Sequence, residues 1–173
     1  MKKHSWLVII LFTFKLYSQE ILTKEDIYTE NNLAYKVDNN QLFSGKIQNF
    51  KHKNHLLSEI EFIDGFLVKG LVYFNGKEKI VAEERYFFKS NRKVEKKIKY
   101  SLDHKIIWTE YFDEYGNKKL EEDFKDGIMI YSCPYKDNKK HGKVFSINKN
   151  GERNECVFEN GILIKLEKEN PND

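Results

Sequence analysis

Apolar and polar positions along this chain follow two rhythms. Trp6 to Phe14 is an unbroken apolar or near-apolar run. Beyond it, short alternating stretches are separated by Asp-Gly, Asn-Gly and similar pairs, the pattern of strands joined by tight turns. Between Val94 and Tyr100 the alternation is clean: Val94, Ile98 and Tyr100 point one way, Glu95, Lys97 and Lys99 the other. It is less clean further on, where Ile106 and Trp108 share one face and Ile107 and Tyr111 lie on the other. A sheet apolar on both sides at that point needs a second cover, from curling, from the N-terminal segment or from a partner.

The turn pairs belong to an internal repeat. Phe62-Ile63-Asp64-Gly65-Phe66-Leu67, Phe124-Lys125-Asp126-Gly127-Ile128-Met129 and Phe158-Glu159-Asn160-Gly161-Ile162-Leu163 share one order: aromatic, any residue, Asp or Asn, Gly, apolar, apolar. Asp-Gly and Asn-Gly tolerate the positive φ of a two-residue hairpin turn, whose twist matches the flanking strands. A second pattern, an aromatic-led strand entering a Gly turn, falls at Tyr73 to Lys77, Tyr111 to Asn117 and Phe145 to Glu152. A third, around Gly45, Gly70 and Gly142, is read as opening the next strand. All nine glycines belong to such patterns. The pattern decays between Gly76 and Gly116, where Ser90-Asn91 and Leu102-Asp103-His104 are the expected substitute turns.

Outside the repeats, Thr23 to Asn32 is expected to form one short helix, because Thr23 precedes Asp26 at capping-box spacing. At the N-terminus, Met1-Lys2-Lys3-His4 is a basic n-region ahead of an apolar run too short to span a bilayer, and Leu16-Tyr17-Ser18 ends in a small residue. This predicts a signal peptide over 1–18, cut before Gln19. The alternative is an uncleaved anchor tethering the chain to the inner membrane. There follow an N-terminal lead-in over 19–41, β-hairpin repeats over 42–165 and a disordered tail over 166–173. The expected location is exported: periplasm, cell surface or extracellular.

Charge and composition sharpen this reading. Lys2, Lys3 and Lys15 are three of the 30 basic residues, so loss of the leader leaves 27 against 27 acidic ones. The net charge of +3 therefore carries no indication of nucleic-acid binding, and none is expected. Tyr and Phe are abundant and a third of the residues are charged, which favours strands and thin burial. The expected fold is all-β: an elongated antiparallel meander, a single or slightly curled sheet.

At this point the residues resemble a known family. Tyr111 to Gly127 (YFDEYGNKKLEEDFKDG), together with Asn32 to Tyr35 and Leu42 to Ile47, is similar to the bacterial MORN-repeat variant proteins labelled YwqK-type antitoxins of toxin–antitoxin systems. The resemblance covers about residues 30 to 165. It implies a hairpin meander and neutralisation of a toxin by binding. No catalytic or ligand-binding residue carries over, because the shared positions are turn glycines and packing aromatics. An exported member fits an envelope immunity or surface-binding role better than a cytoplasmic antitoxin.

Few residues carry chemistry. Cys133 and Cys156 are the only cysteines, and in an oxidising compartment a disulfide between them would contribute on the order of 3 kcal/mol. The alternative is two separate buried thiols. His52 and His55 lack the intervening acid of a zinc-protease motif and read as loop histidines, so no metal is expected. Glu83-Glu84 and Glu121-Glu122-Asp123 are paired acids of the kind glycosidases use, but polar strand faces carry such pairs routinely. No nucleotide or nucleophile-elbow motif is present, so neither a cofactor nor an enzyme is expected. Adjacent aromatics must face opposite ways on a strand. Tyr73, Phe74, Trp108, Tyr111 and Phe112 therefore nominate an exposed aromatic stripe suited to protein or glycan binding. The expected function is that of an exported, non-catalytic repeat protein binding a toxin or envelope protein through its sheet. The alternative is a structural or membrane-peripheral envelope protein, for which the membrane surface would be the partner.

Overall fold

A strand-forming chain interrupted by turn pairs folds back on itself at each one, and this chain does so along most of its length. The structure is a computed structural model, which describes residues 20–51 and 55–168. Three short strands come first: β1 (Glu20–Leu22), β2 (Ile27–Glu30) and β3 (Leu33–Lys36). The body follows as β4 (Gly45–Lys51), β5 (His55–Ile63), β6 (Phe66–Tyr73), β7 (Val81–Phe87), β8 (Val94–Tyr100), β9 (Ile106–Phe112) and β10 (Lys118–Lys125). It ends with β11 (Ile128–Lys136), β12 (Lys139–Lys140), β13 (Gly142–Ile147), β14 (Arg153–Glu159) and β15 (Ile162–Lys168). From β4 to β11 each strand pairs antiparallel with the next, and β13, β14 and β15 continue the same sheet. β1 adds to β4 in parallel, and β12 pairs only with β11. The expected all-β meander of hairpin repeats is the fold.

The turn chemistry explains the rhythm. Asp64-Gly65, Asp126-Gly127 and Asn160-Gly161 all adopt positive φ at both residues, the geometry of a type I′ turn. Each has a register shift at its leading aromatic, between Glu61 and Phe62, Asp123 and Phe124, and Val157 and Phe158. The repeat thus encodes a bulge as well as a turn, and bulges add twist. A second turn class uses a side chain: the Asp113 Oδ1 accepts the N–H groups of Tyr115 and Asn117, and the Asn148 Oδ1 those of Asn150 and Glu152. Gly116 and Gly151 supply the left-handed residue. In the eroded region Arg92 (φ 60°) and His104 (φ 64°) take the left-handed position, so the meander continues without glycine. Gly70, expected to open a strand, lies within β6 instead, beside the Phe87 ring.

The helix expected over Thr23 to Asn32 is not formed. Thr23 and Asp26 do make a capping box, but it closes a single 3₁₀ turn, Lys24–Asp26. Ile27 to Glu30 then becomes β2, because Asn31 (φ 47°) and Asn32 (φ 63°) form a further type I′ turn and pair it with β3. This hairpin caps the sheet. Ala34 on β3 and Phe43 on the following segment are fully buried against Ile47 and Phe62, with Leu22, Ile27 and Leu67 around them. Backbone bonds seal the junction: Ala34 N–H donates to Gly65 O, Phe43 N–H to Ala34 O, and Gly65 N–H to Phe43 O.

Of the two readings of the cysteines, the structure has separate thiols, Cys133 buried and Cys156 partly so. The register of Tyr131 with Ser146 carries Cys133 beside Val144, which itself pairs with Cys156. Two strand spacings, about 9.6 Å, separate the cysteines, beyond the roughly 7 Å a disulfide tolerates between Cα atoms. At the C-terminal end β15 runs through Lys168, past the expected boundary at residue 165. The leader over 1–18, His52 and the end of the tail lie outside the described residues.

Candidate interaction surface

Away from the N-terminal cap, the described strands pack on their sheet neighbours, and the body is one layer thick with two faces open to solvent. Strand alternation divides the five nominated aromatics between them. Trp108 and Phe112 share the front face with Glu110, while Tyr111 lies on the back with Thr109. Tyr73 is also on the back, where its hydroxyl donates to the Glu59 carboxylate. Phe74 follows at the end of β6, its N–H bonded to Ile80 O. They do not form one stripe. All five are half-buried.

What half-buries those on β9 is lysine. β8 contributes three consecutive cases: Lys96 lies 4.8 Å from the centre of the Tyr111 ring, Lys97 4.8 Å from that of Phe112, and Lys99 4.6 Å from that of Trp108. Aliphatic stems cover apolar ring surface while the ammonium meets the negative ring face. For the aromatics of β9 the second cover thus comes from the neighbouring strand rather than from another layer, while Ile106 and Ile107 stay exposed. Lys69 over Tyr86, Lys118 over Tyr135 and Arg153 over Phe145 repeat the device along the sheet.

Charged residues are organised just as regularly. On the front face a network crosses four strands. Lys97 pairs with Glu110 (3.4 Å), Glu110 with Lys118 (2.6 Å) and Lys118 with Glu121 (3.2 Å). Glu121 also accepts hydrogen bonds from Trp108 Nε1 (3.3 Å) and the Tyr135 hydroxyl (2.9 Å). Glu110 and Glu121 face each other directly, and Lys118 bridges their repulsion. Burial alone pushes the Glu121 carboxyl up, but the bonds from Tyr135, Trp108 and Lys118 outweigh it and hold the group below its usual range. Burial and the neighbouring Glu121 push Asp123 the other way, upward.

The acid clusters seen in the sequence are therefore split between faces. Glu83 pairs with Arg85 on the front, whereas Glu84 pairs with Lys69 and accepts the Tyr86 hydroxyl on the back. Glu121 and Asp123 are on the front, and Glu122 is on the back, bonded to the Thr109 hydroxyl. Among the described residues no group of three or more His, Cys, Asp or Glu side chains is placed to hold a metal ion. The sequence places Lys97 and Lys99 on one face of their strand, but which rings of β9 they cover depends on the register between the two strands.

Comparisons with known proteins add little. No family model and no curated protein matches the chain. Among solved structures, a mutant of S. aureus TarM in complex with Fondaparinux, alpha-GlcNAc-glycerol and UDP aligns at 14% identity with a TM-score of 0.40, covering 68% of this chain and 21% of that one. The GtfA/B complex bound to UDP and GlcNAc aligns at 10% identity and a TM-score of 0.36, covering 76% and 23%. The chain spans about a fifth of the length of these proteins. Likeness at this level carries no conclusion about family or activity.

Proposed function

We propose that this chain is an exported, non-catalytic binding protein that recognises another protein through a face of its extended sheet, in an immunity-like role towards a toxin. The observation that carries the reading is the one-layer body, which offers both faces of β7 to β11 to solvent with half-buried aromatics among paired charges. Such a surface is extended and stiffened by cross-strand pairs, so a partner docks with little ordering cost. Glu59, Glu84, Glu110, Glu121 and Glu122 are each engaged by a cation or hydroxyl of a neighbouring strand, which suits a scaffold better than a reaction centre.

Co-purification of the tagged, exported protein, with bound species identified by mass spectrometry, tests this. The expected result is a toxin-like polypeptide in stoichiometric amount, lost when Trp108→Ala and Tyr111→Ala are combined. Recovery of only lipid or envelope glycan would retire the reading in favour of a structural envelope role.

A further inference from the structure

Resting on the binding reading above, the front face narrows the chemistry of the partner. β7 and β8 set Arg85 directly opposite Lys97, and Lys99 directly opposite Glu83. Like charges facing each other across strands repel. Each of the facing pair keeps its own carboxylate, Glu83 at 2.5 Å from Arg85 and Glu110 at 3.4 Å from Lys97. Depth then separates the signs. The side chains of Glu83 and Glu110 are 15% and 9% exposed, whereas those of Arg85 and Lys97 are 46% and 30% exposed. Lys99 is exposed as well, its ammonium over the Trp108 ring. Short carboxylates lie down on the sheet and long cations reach past them, so an approaching molecule meets a positive layer floored by Trp108 and Phe112.

We infer that the Arg85, Lys97 and Lys99 surface, with Trp108 and Phe112, docks an acidic segment of a protein partner. In an extended segment, side chains on one side recur about every 7 Å, the interval between Lys97 and Lys99 along β8, with the Phe112 and Trp108 rings beneath them. Its carboxylates take the outer sides of the three cations and its apolar side chains lie against the ring edges. A phosphate polymer is matched by an unneutralised run of cations, whereas these are interleaved with Glu83 and Glu110. A lipid surface is matched by aromatics that stand beyond the cations, whereas these rings lie beneath them.

Fluorescence anisotropy of the full chain with a labelled eight-residue peptide that carries Glu and Phe alternately at every second position, with Ser between them so that both face the sheet, tests the assignment, with the same peptide bearing Lys in place of Glu as its counterpart. The acidic peptide is expected to bind at least tenfold more tightly. Lys99→Gln should weaken it severalfold, the double variant Arg85→Glu/Lys99→Glu at least tenfold, and Lys125→Glu on β10 not at all, with circular dichroism confirming folded variants. Equal binding of the two peptides, or tighter binding of phosphatidylglycerol vesicles or an oligonucleotide, would overturn it. A co-purified partner that still binds the double variant would overturn this docking surface and leave the binding reading intact. Absence of any protein partner would remove the binding reading instead, while acid-selective peptide binding would still be read independently.

Discussion

Glu121 shows how far one side chain on this sheet depends on its neighbours. It accepts from Trp108 on β9, Tyr135 on β11 and Lys118 on its own strand. Because its carboxyl is held below the usual range, the stability it contributes is present above the ordinary glutamate value and is lost as pH falls through the folded-state value. Asp123 is held above its usual range, so when ionised it costs stability at neutral pH. Glu121→Gln is expected to lower stability at pH 7 by on the order of 1 kcal/mol and to flatten the loss of stability below about pH 5. Asp123→Asn should leave neutral stability unchanged or slightly raised. Urea denaturation across pH 3 to 8 reads both, and an undiminished acid dependence in E121Q would show that the network does not hold its charge.

At the scale of elements, the same turn does two jobs. Gly65 and Gly127 share a φ of +79° in equivalent Asp-Gly turns. A Cβ at Gly65 would stand 2.7 Å from Leu42 Cδ2 and 3.1 Å from Ala34 O, whereas at Gly127 nothing lies within 4 Å. Alanine at either position takes a backbone penalty of roughly 1–2 kcal/mol. Gly65→Ala should cost about 1–3 kcal/mol more through overpacking, because it wedges the N-terminal cap away from β5 and β6. Denaturation midpoints of the two variants measure the difference directly. Equal losses would mean that the cap yields freely. The repeats made both turns readable in the sequence, but only the packing of Leu42 and Ala34 distinguishes them.

For the whole molecule, burial is concentrated at one end. Ala34, Phe43, Ile47 and Phe62 form the buried cluster, while elsewhere scattered buried residues such as Ile98 and the neighbouring Cys133 and Val144 sit within a one-layer sheet. In a stack where each element contacts its neighbours, local stability follows local burial. Amide hydrogen exchange is therefore expected to be slowest in β4 to β6 and fastest in β15, where Ile162, Leu163 and Ile164 are exposed. Uniform protection from β4 to β15 would indicate that the ion-pair and cation–aromatic ladders stabilise the body as effectively as an apolar core.

Strand, turn and repeat were legible because they are local: Asp-Gly and Asn-Gly fix their own backbone geometry, and alternation needs only the pleat. Even in the eroded stretch, Arg92 and His104 accept the conformation that glycine takes elsewhere. The lead-in was misread because the capping box at Thr23 and the paired asparagines at 31 and 32 are both valid local signals, and burial of Ala34 and Phe43 decided between them. The sequence by itself determined an all-β meander, its turn positions and the division of adjacent aromatics between faces. Tertiary structure alone decided that Val144 separates the cysteines and that lysines of β8 cover the rings of β9. Those are matters of register between strands, which depends on bulges and on packing summed over many residues rather than on any one motif.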